Sequence, residues 1–406
     1  MTVAGDKAVF ANLDDTVVRM TEIRHDLHQH PELGYQETYT SKQVCKELSR
    51  LGIEHKAGYA GGTGVVGLIH GKAATGGAGR CVALRADMDA LPIMEATNLP
   101  YASKIPGVMH ACGHDGHTAV LLGAAACLQS VADSFGGTIK LIFQPAEEGG
   151  CGAERMCKEG VLENPKVDGI FGLHGWPGLP VGMAATRSGV LLASVDGFTI
   201  QIRGVGGHAA SPQQAVDPII CGAAMVQALQ TIVSRESDPV EALVLTVSQF
   251  HAGSAFNVIP GTAEIGGTIR ALARSRRDAA IVALERIARG VAEAHRCTVS
   301  IEYFGRTPST TNTPELAEFV HRTTVEALGE KAFMWVPKPA MWGEDFAFYL
   351  ERVPGCFYVL GVQPQGRVEY PMLHNAQYDF TDAAIPVGIR MMSELALRFL
   401  QADNRR

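Results

Sequence analysis

Apolar, β-branched runs alternate with helical patterns through most of the chain. Three strands are predicted at CVALRAD (81–87), TIKLIFQPAEE (138–148) and VDGIFGLHG (167–175), and each gives way to helical or loop material. A buried helix is predicted between the first two strands, at TAVLLGAAACLQSV (118–131). This alternation is typical of an α/β fold with a mostly parallel sheet.

The pattern changes between about Ser188 and Phe304. Alternating runs there bracket two helical stretches and predict the order β-α-β-β-α-β, a unit that can fold as an inserted domain. Afterwards FYVLGV predicts another strand and AAIPVGIRMMSELALRFLQ a closing helix. We therefore predict a larger domain formed by residues 1–187 and 305–406, and a smaller α+β domain at 188–304.

Composition excludes several classes of partner. The 406 residues exceed what one hydrophobic core usually supports, which favours two domains. The formal net charge is −7 and like charges do not cluster, so we expect neither nucleic acid nor a membrane surface as partner. The start of the chain lacks the pattern of a signal peptide, and no apolar run is long enough to span a membrane. We expect a cytoplasmic protein with a small-molecule partner.

The segment MHACGHDGHT (109–118) contains three histidines, a cysteine and an aspartate. Residues two apart diverge on a helix, so Cys112 and His114 converge only if this stretch is not helical, which Gly113 and Gly116 favour. Thiolate and imidazole together suit zinc, with manganese, cobalt or nickel possible where carboxylates complete the site. A structural cysteine beside surface histidines is the alternative for this segment alone.

Further metal-capable side chains lie at or beyond the predicted strand ends. Glu147 and Glu148 close one strand, His174 closes the next, and His374 lies in the loop PMLHNAQYDF. In an open α/β sheet these ends form the crevice where ligands bind. Neighbouring carboxylates diverge there, so one can bind a metal while the other acts as a base on water. A solvated glutamate pair is the alternative for the two residues in isolation.

Nine motifs occur in an order that one family shares. They are HDLHQHPELGYQE (25–37), RADMDALP (85–92), MHACGHDGHTA (109–119), FQPAEEGGCGAERM (143–156), GLHGWPGLPVG (172–182), GGHAASP (206–212), FNVIPGTAEIGGTIRAL (256–272), GEDFAFYL (343–350) and LHNAQYDF (373–380). Together they resemble the metallo-amidohydrolase branch of the aminoacylase and carboxypeptidase metallopeptidases. That branch includes hippurate hydrolases, auxin-conjugate hydrolases and N-acyl-L-amino acid amidohydrolases.

The resemblance implies a catalytic domain with two divalent metal ions, Zn, Mn, Ni or Co. Five ligands are implied: Cys112 as the bridge, His114 and His174 at one site, and Glu148 and His374 at the other. Glu147 is implied as the general base that deprotonates the water between the metals and returns the proton to the leaving amine. The implied substrates are N-acyl amino acids, such as hippurate-like, N-acetyl or indoleacetyl conjugates.

Elsewhere in the wider superfamily the bridge is an aspartate, and a further histidine ligand lies in a His-x-Asp element. The corresponding residues here begin with Arg85, so that ligand is absent and His114 takes its place by our interpretation. Asp87 and Asp115 are candidates for orienting the ligands. A turn-forming role is the alternative for either aspartate.

Three residues of the smaller domain, interpreted as a lid or dimerisation domain, also match the family. The resemblance implies that His208 stabilises the oxyanion in the active site of a neighbouring subunit. It also implies that Asn257 and Arg270 bind substrate, whose carboxylate can accept two parallel guanidinium hydrogen bonds. A homodimer or higher homo-oligomer through this domain follows. A loop histidine and a solvated strand arginine are the alternatives.

Other functions stay open as alternatives. A metallo-carboxypeptidase or dipeptidase acting on short peptides shares the same motifs. A nicotinamide-dependent oxidoreductase is suggested by GGTGVVGL (61–68), although the residues that follow predict a strand and not the required helix. A non-catalytic metal-binding protein would lack a free base, which makes Glu147 the discriminating residue.

Overall fold

The computed structural model describes residues 8–402 apart from 75, 76 and 78. The chain divides into two compact units, of which the first comprises residues up to 189, 311–337 and 345 onwards, and the second comprises 190–310 and 338–344. Residues 305–310 and 338–344 were predicted in the larger domain, whereas they lie with the second unit. The catalytic and lid roles of the domains stay predictions. Among the described residues, no helix combines the length and apolar character needed to cross a membrane.

The elements are named in chain order. The helices are α1 (Leu13–Gln29), α2 (Thr38–Arg50), α3 (His114–Ser130), α4 (Gly152–Lys158), α5 (Pro218–Leu229), α6 (Thr231–Arg235), α7 (Arg274–Ala294), α8 (Pro314–Leu328), α9 (Ala347–Leu350) and α10 (Ile385–Gln401). The strands are β1 (Glu54–Tyr59), β2 (Gly64–His70), β3 (Cys81–Asp87), β4 (Thr138–Gln144), β5 (Gly169–Pro180), β6 (Ala184–Thr186), β7 (Gly189–Leu192), β8 (Ser194–Arg203), β9 (Gly207–His208), β10 (Leu243–Ala252), β11 (Val258–Ile259), β12 (Thr262–Ala271), β13 (Thr298–Thr307), β14 (Thr310–Asn312), β15 (Phe333–Trp335) and β16 (Gly355–Gln363).

The sheet of the first unit has the order β1-β2-β4-β3-β5-β16-β6-β15. Its four inner strands, β4, β3, β5 and β16, are mutually parallel, and antiparallel pairs flank them at β2 and β6. This confirms the predicted mostly parallel α/β sheet. The glycine-rich segment 61–68 runs into β2, which pairs with β1 and β4. The glycines lead into this strand and not into a helix, so the dinucleotide-binding alternative lacks its required geometry.

Helix α3 is the central helix of the first unit. It is apolar and small-residue-rich, it is buried along most of its length, and α1 and α10 pack against it. Close approach depends on glycine, because a Cβ at Gly123 would lie 2.3 Å from Ile389 Cδ1. The helix begins at His114, four residues before the predicted start at 118. Helix α3 is therefore held in place by the two helices that pack against it, α1 and α10.

The second unit contains a four-stranded antiparallel sheet with the order β10-β12-β8-β13. Helices α5 and α7 pack against each other and against β12. The alternating apolar residues of β8 and β12, such as Phe198, Ile200, Ile265 and Ile269, are fully buried and form its core. The predicted β-α-β-β-α-β order is confirmed for these elements.

Candidate metal centre

Cys112 and His114 lie on either side of a helix start. Gly113 precedes helix α3 with φ of 88°, a left-handed conformation that suits glycine. A Cβ at Gly113 would also lie 2.9 Å from Tyr378 Oη. Cys112 therefore stays outside the helix while His114 is its first residue. The prediction of a non-helical stretch is correct at Cys112 and wrong at His114, which begins the helix, yet the donor atoms of both residues lie within 4.8 Å of each other.

Glu147 and Glu148 lie in a turn after β4. The strand ends at Gln144, and two residues separate it from the glutamates, so the prediction that they close the strand is wrong. Ala146 has φ of 54° and donates its N–H to Glu37 Oε1 at 2.8 Å. The N–H of Glu148 donates to Asp89 Oδ2 at 2.8 Å. Two buried carboxylates from other segments thus hold the turn.

His174 and His374 reach Cys112 from two different segments. His174 lies inside β5, which continues to Pro180, so it does not close the strand as predicted. Its Nε2 is 3.3 Å from Cys112 Sγ. His374 lies in a loop with φ of 64°, and its backbone N–H donates to the Ala111 carbonyl at 2.8 Å. His374 Nε2 is 3.4 Å from Cys112 Sγ and 3.2 Å from Glu148 Oε1.

The five predicted ligands form two groups that share Cys112. In each group the donor atoms lie within 4.8 Å of one another; the groups are Cys112, His114 and His174, and Cys112, Glu148 and His374. His114 Nε2 is buried and has no hydrogen-bond partner among the described residues. A buried nitrogen that forms no hydrogen bond is costly in a folded protein, and a bound metal ion would satisfy it. The sulfur, nitrogen and oxygen donors fit zinc and neighbouring divalent ions.

Glu147 lies beside both groups. Its carboxylate is within 4.8 Å of the donor atoms of His114 and Glu148. The backbone N–H of Asp345 points to Glu147 Oε1 at 3.4 Å. A base must come within hydrogen-bond reach of the water it deprotonates, and this position next to the donor groups is compatible with that role.

The pKa values of the donor residues indicate which of them carry a proton when no metal ion is bound. Burial, reinforced by the carboxylates of Glu148, Glu147 and Asp87, raises the pKa of the Cys112 thiol well above its usual range. Burial disfavours the charged form of His114, but the nearby carboxylates, Asp87 first, outweigh it and raise its pKa to about 10. Burial and the neighbouring His117 lower the pKa of His174. At neutral pH Cys112 and His114 therefore both carry a proton that a metal must displace.

Metal binding is expected to release about two protons at the site that contains Cys112 and His114. Both groups are protonated in the metal-free protein between pH 6 and 8 and deprotonated once they are ligands, so affinity rises with pH. The apparent affinity should change by about 100-fold per pH unit in this range. Calorimetry in buffers of different ionisation enthalpy counts the protons directly. Affinity that is independent of pH would contradict the protonation states described here.

The residues around the ligands differ partly from those predicted. Asp87 Oδ1 accepts from His117 Nδ1 at 2.6 Å and lies close to the ligand region. Asp89, which was not predicted as a site residue, accepts from His114 Nδ1 at 3.2 Å and from the Glu148 backbone N–H at 2.8 Å. Asp115 contacts none of the five ligands among the described hydrogen bonds. Asp89, two residues beyond Asp87 in the RADMDALP motif, thus contacts a predicted ligand directly, and the ligand-orienting roles of Asp87 and Asp115 stay predictions.

Asp115 belongs to a buried ionic cluster around Arg24. Its Oδ2 accepts from Arg24 Nε at 3.0 Å and from His28 Nδ1 at 2.8 Å. The fully buried Arg24 also pairs with Asp379, which lies in the loop of His374, and with Asp382 just after that loop. The cluster thus ties α1 to the metal-site helix and to the last ligand loop.

Replacing Arg24 with methionine is expected to destabilise the first unit by about 3–5 kcal/mol, because it leaves buried carboxylates without their cation. The matched control is Arg19→Met on the same helix, whose side chain is 40% exposed in its pair with Glu47. That change should cost about 1 kcal/mol or less. Urea unfolding of both variants makes the comparison, and equal losses would contradict the role of the cluster.

The predicted residues of the second unit lie in two places. His208 is exposed on β9, which pairs with β11, and its Nδ1 accepts from the Ala210 N–H at 3.0 Å. Asn257 is next to it, since its carbonyl accepts from the Ala209 N–H at 3.1 Å. Arg270 lies on β12 and donates to the Met341 carbonyl at 2.9 Å. The structure brings His208 and Asn257 together, and the catalytic and binding roles of all three residues stay predictions.

A mostly parallel sheet that carries two donor groups sharing one cysteine, with a carboxylate beside them, defines an α/β protein with a candidate paired metal centre. The sequence profile described as Peptidase family M20/M25/M40 matches residues 83–398. The chain belongs to this family, which confirms the resemblance found in its motifs.

Relatives cover nearly the whole chain. IAA-amino acid hydrolase ILR1-like 4 of Arabidopsis thaliana is 40% identical over 387 residues, which are 94% of this chain and 86% of that protein. Hippurate hydrolase of Campylobacter jejuni is 39% identical over 380 residues, 94% of this chain and 96% of that protein. The solved structure of Bacillus subtilis YXEP protein, described as a dinuclear metal binding peptidase from M20 family, aligns with a TM-score of 0.79 at 34% identity, covering 96% of this chain and 100% of that one.

Proposed function

We propose that the chain is a metal-dependent amidohydrolase that cleaves the amide bond of N-acyl amino acids at two divalent metal ions. The observation that carries this proposal is the position of Glu147 beside two donor groups that share Cys112. Family membership and the names of two relatives, which act on IAA-amino acids and hippurate, support it. The compounds in both names consist of an acyl group joined to an amino acid through an amide bond.

Cys112, His114 and His174 would hold one ion, and Cys112, Glu148 and His374 the other. Bound divalent ions lower the pKa of water and polarise a carbonyl group. Glu147, which is not needed as a ligand, takes the proton from the attacking water and gives it to the leaving amine. The N–H of Asp345 orients the Glu147 carboxylate during both transfers.

The remaining roles concern the substrate and the assembly. His208 donates a hydrogen bond to the developing oxyanion, within a homo-oligomer formed through the second unit. Arg270 and Asn257 bind the carboxylate of the amino acid, because guanidinium suits that group. The substrate is a small molecule that the enzyme meets in the cytoplasm.

Assays of metal-reconstituted protein on a matched panel test the proposal. The panel contains acetyl, benzoyl and indoleacetyl conjugates of one amino acid, together with dipeptides of similar size. We expect kcat/KM of at least about 10⁴ M⁻¹s⁻¹ for one conjugate, above every dipeptide. Preference for dipeptides would favour the peptidase alternative, and a lack of cleavage with every metal would end the proposal.

A further inference from the structure

The ring of His174 is fixed by a contact on the side away from Cys112. Its Nδ1 lies 2.9 Å from the Gly175 carbonyl oxygen. Because a carbonyl only accepts, Nδ1 carries the proton. Nε2 then has a free lone pair, and this is the nitrogen 3.3 Å from Cys112 Sγ. The orientation of the Gly175 peptide therefore decides which nitrogen of His174 can bind a metal.

Gly175 is held in turn by His117. Its N–H donates to His117 Nε2 at 2.8 Å. The pairing of β3 with β5 ends at Arg85 and Gly172, so beyond this point β3 offers no strand partner to the Gly175 N–H. His117 supplies the acceptor in its place. Position 175 has no room for a side chain, because a Cβ there would lie 2.9 Å from the ring of Phe380.

Both nitrogens of His117 are occupied. Nε2 accepts the Gly175 N–H, so the proton must lie on Nδ1, which faces Asp87 Oδ1 at 2.6 Å. His117 lies close enough to Asp87 and His114 to form a donor group with them. Its hydrogen bonds nevertheless leave it no lone pair for a cation, so it supports a ligand without being one.

Arg85 closes the chain of contacts. Its Nη1 donates to Asp87 Oδ2 at 2.6 Å, and its Nη2 lies 3.1 Å from Asp345 Oδ1. Arg85 and Asp87 are fully buried, and Asp345 nearly so. The backbone N–H of Asp345 is the group that faces Glu147. The buried guanidinium of Arg85 thus connects Asp87, which contacts His117, to Asp345, whose N–H faces Glu147.

We propose that His117 is a positioning residue for the metal ligand His174, acting through Gly175 and held by Asp87 and Arg85. The inference rests on the proposed metal centre and deepens it. Residues that orient a metal-bound histidine typically change metal affinity by about 10–100-fold when they are replaced. The effect should fall on the site of Cys112, His114 and His174, and leave the site of Glu148 and His374 unchanged.

Two amide substitutions separate the contacts of His117. The amide of asparagine lies near the position of Nδ1, so His117→Asn keeps a donor to Asp87 and loses the acceptor for Gly175. Glutamine reaches the position of Nε2, so His117→Gln keeps that acceptor. Asp87→Asn is a second variant, because it allows His117 to move its proton to Nε2 and lose the acceptor. Leu122→Ala is the control, since Leu122 is a buried residue of the same helix whose apolar side chain forms none of these hydrogen bonds.

Two measurements are made on folded protein. Zinc affinity of each site is determined by competition with a chelator, and ring nitrogen signals of ¹⁵N-histidine-labelled metal-free protein report the His174 tautomer. We expect His117→Asn and Asp87→Asn to weaken one site about 10–100-fold and to mix the His174 tautomers. His117→Gln and Leu122→Ala should resemble the wild type in both readouts.

Other results overturn the inference. One is a His174 tautomer that is unchanged in both His117→Asn and Asp87→Asn. Another is a loss of zinc affinity in Leu122→Ala that equals the loss in these two variants. The tautomer is read without metal or substrate, so it is independent of catalysis. A wild type that binds two ions and cleaves no conjugate would refute the proposed function alone, while the His174 response would still decide the role of His117.

Discussion

Replacing Glu147 with glutamine is expected to slow amide cleavage by about 10²–10⁴-fold while two metal ions stay bound. The amide keeps the size of the side chain and its contact with the Asp345 N–H, but it cannot take a proton from water. The loss should appear in kcat more than in KM, because Glu147 acts on the reacting atoms. Steady-state kinetics and metal analysis of the same sample make the measurement.

The neighbouring carboxylate provides the matched control. Glu148→Gln should lose affinity for one metal ion, since Glu148 belongs to a donor group with Cys112 and His374. Adjacent residues should thus give opposite results: full metal content with little activity for Glu147→Gln, and reduced metal content for Glu148→Gln. A Glu147→Gln protein with the wild-type rate would remove the proposed base.

Replacing Cys112 with alanine is expected to weaken both metal sites, because Cys112 belongs to both donor groups. Metal content after dialysis against a weak chelator should fall from about two ions to less than one, and activity should fall to background. Cys112→Asp should recover part of both, because a carboxylate can bridge two ions as it does in the wider superfamily.

A buried thiol in the same region tests whether the effect is specific. Cys127 lies in α3, is buried and belongs to neither donor group. Cys127→Ala should keep two metal ions and full activity while losing a little stability. Equal metal loss in the two alanine variants would show that the thiol of Cys112 is not a ligand.

The fold was predictable where the apolar pattern determines it. Buried strands such as β3 and the β-α-β-β-α-β unit follow from local periodicity, and both were found where the sequence placed them. Helix α3 starts earlier than predicted because its first turn, residues 114–117, consists of two histidines, an aspartate and a glycine that are all buried. Local pattern shows no apolar face there.

The ligands were predictable from motifs, and the groups that hold them were less so. Asp89 and His117 lie inside recognised motifs, but their partners are fixed only by folding. Glu37 is separated from Ala146 by more than a hundred residues along the chain, and no local sequence pattern predicts their contact. The contact between His114 and Asp89 illustrates the same limit, since the two residues lie in different motifs and meet only in the fold.

The most direct test is the position of metal in crystals of zinc-loaded protein, found from anomalous diffraction at the zinc edge. We expect two peaks per chain, both about 2.3 Å from Cys112 Sγ, with histidine nitrogens at about 2.0–2.1 Å and Glu147 bound to neither. A single peak, a peak remote from Cys112, or Glu147 as a ligand would contradict the assignment of five ligands and of Glu147 as the base.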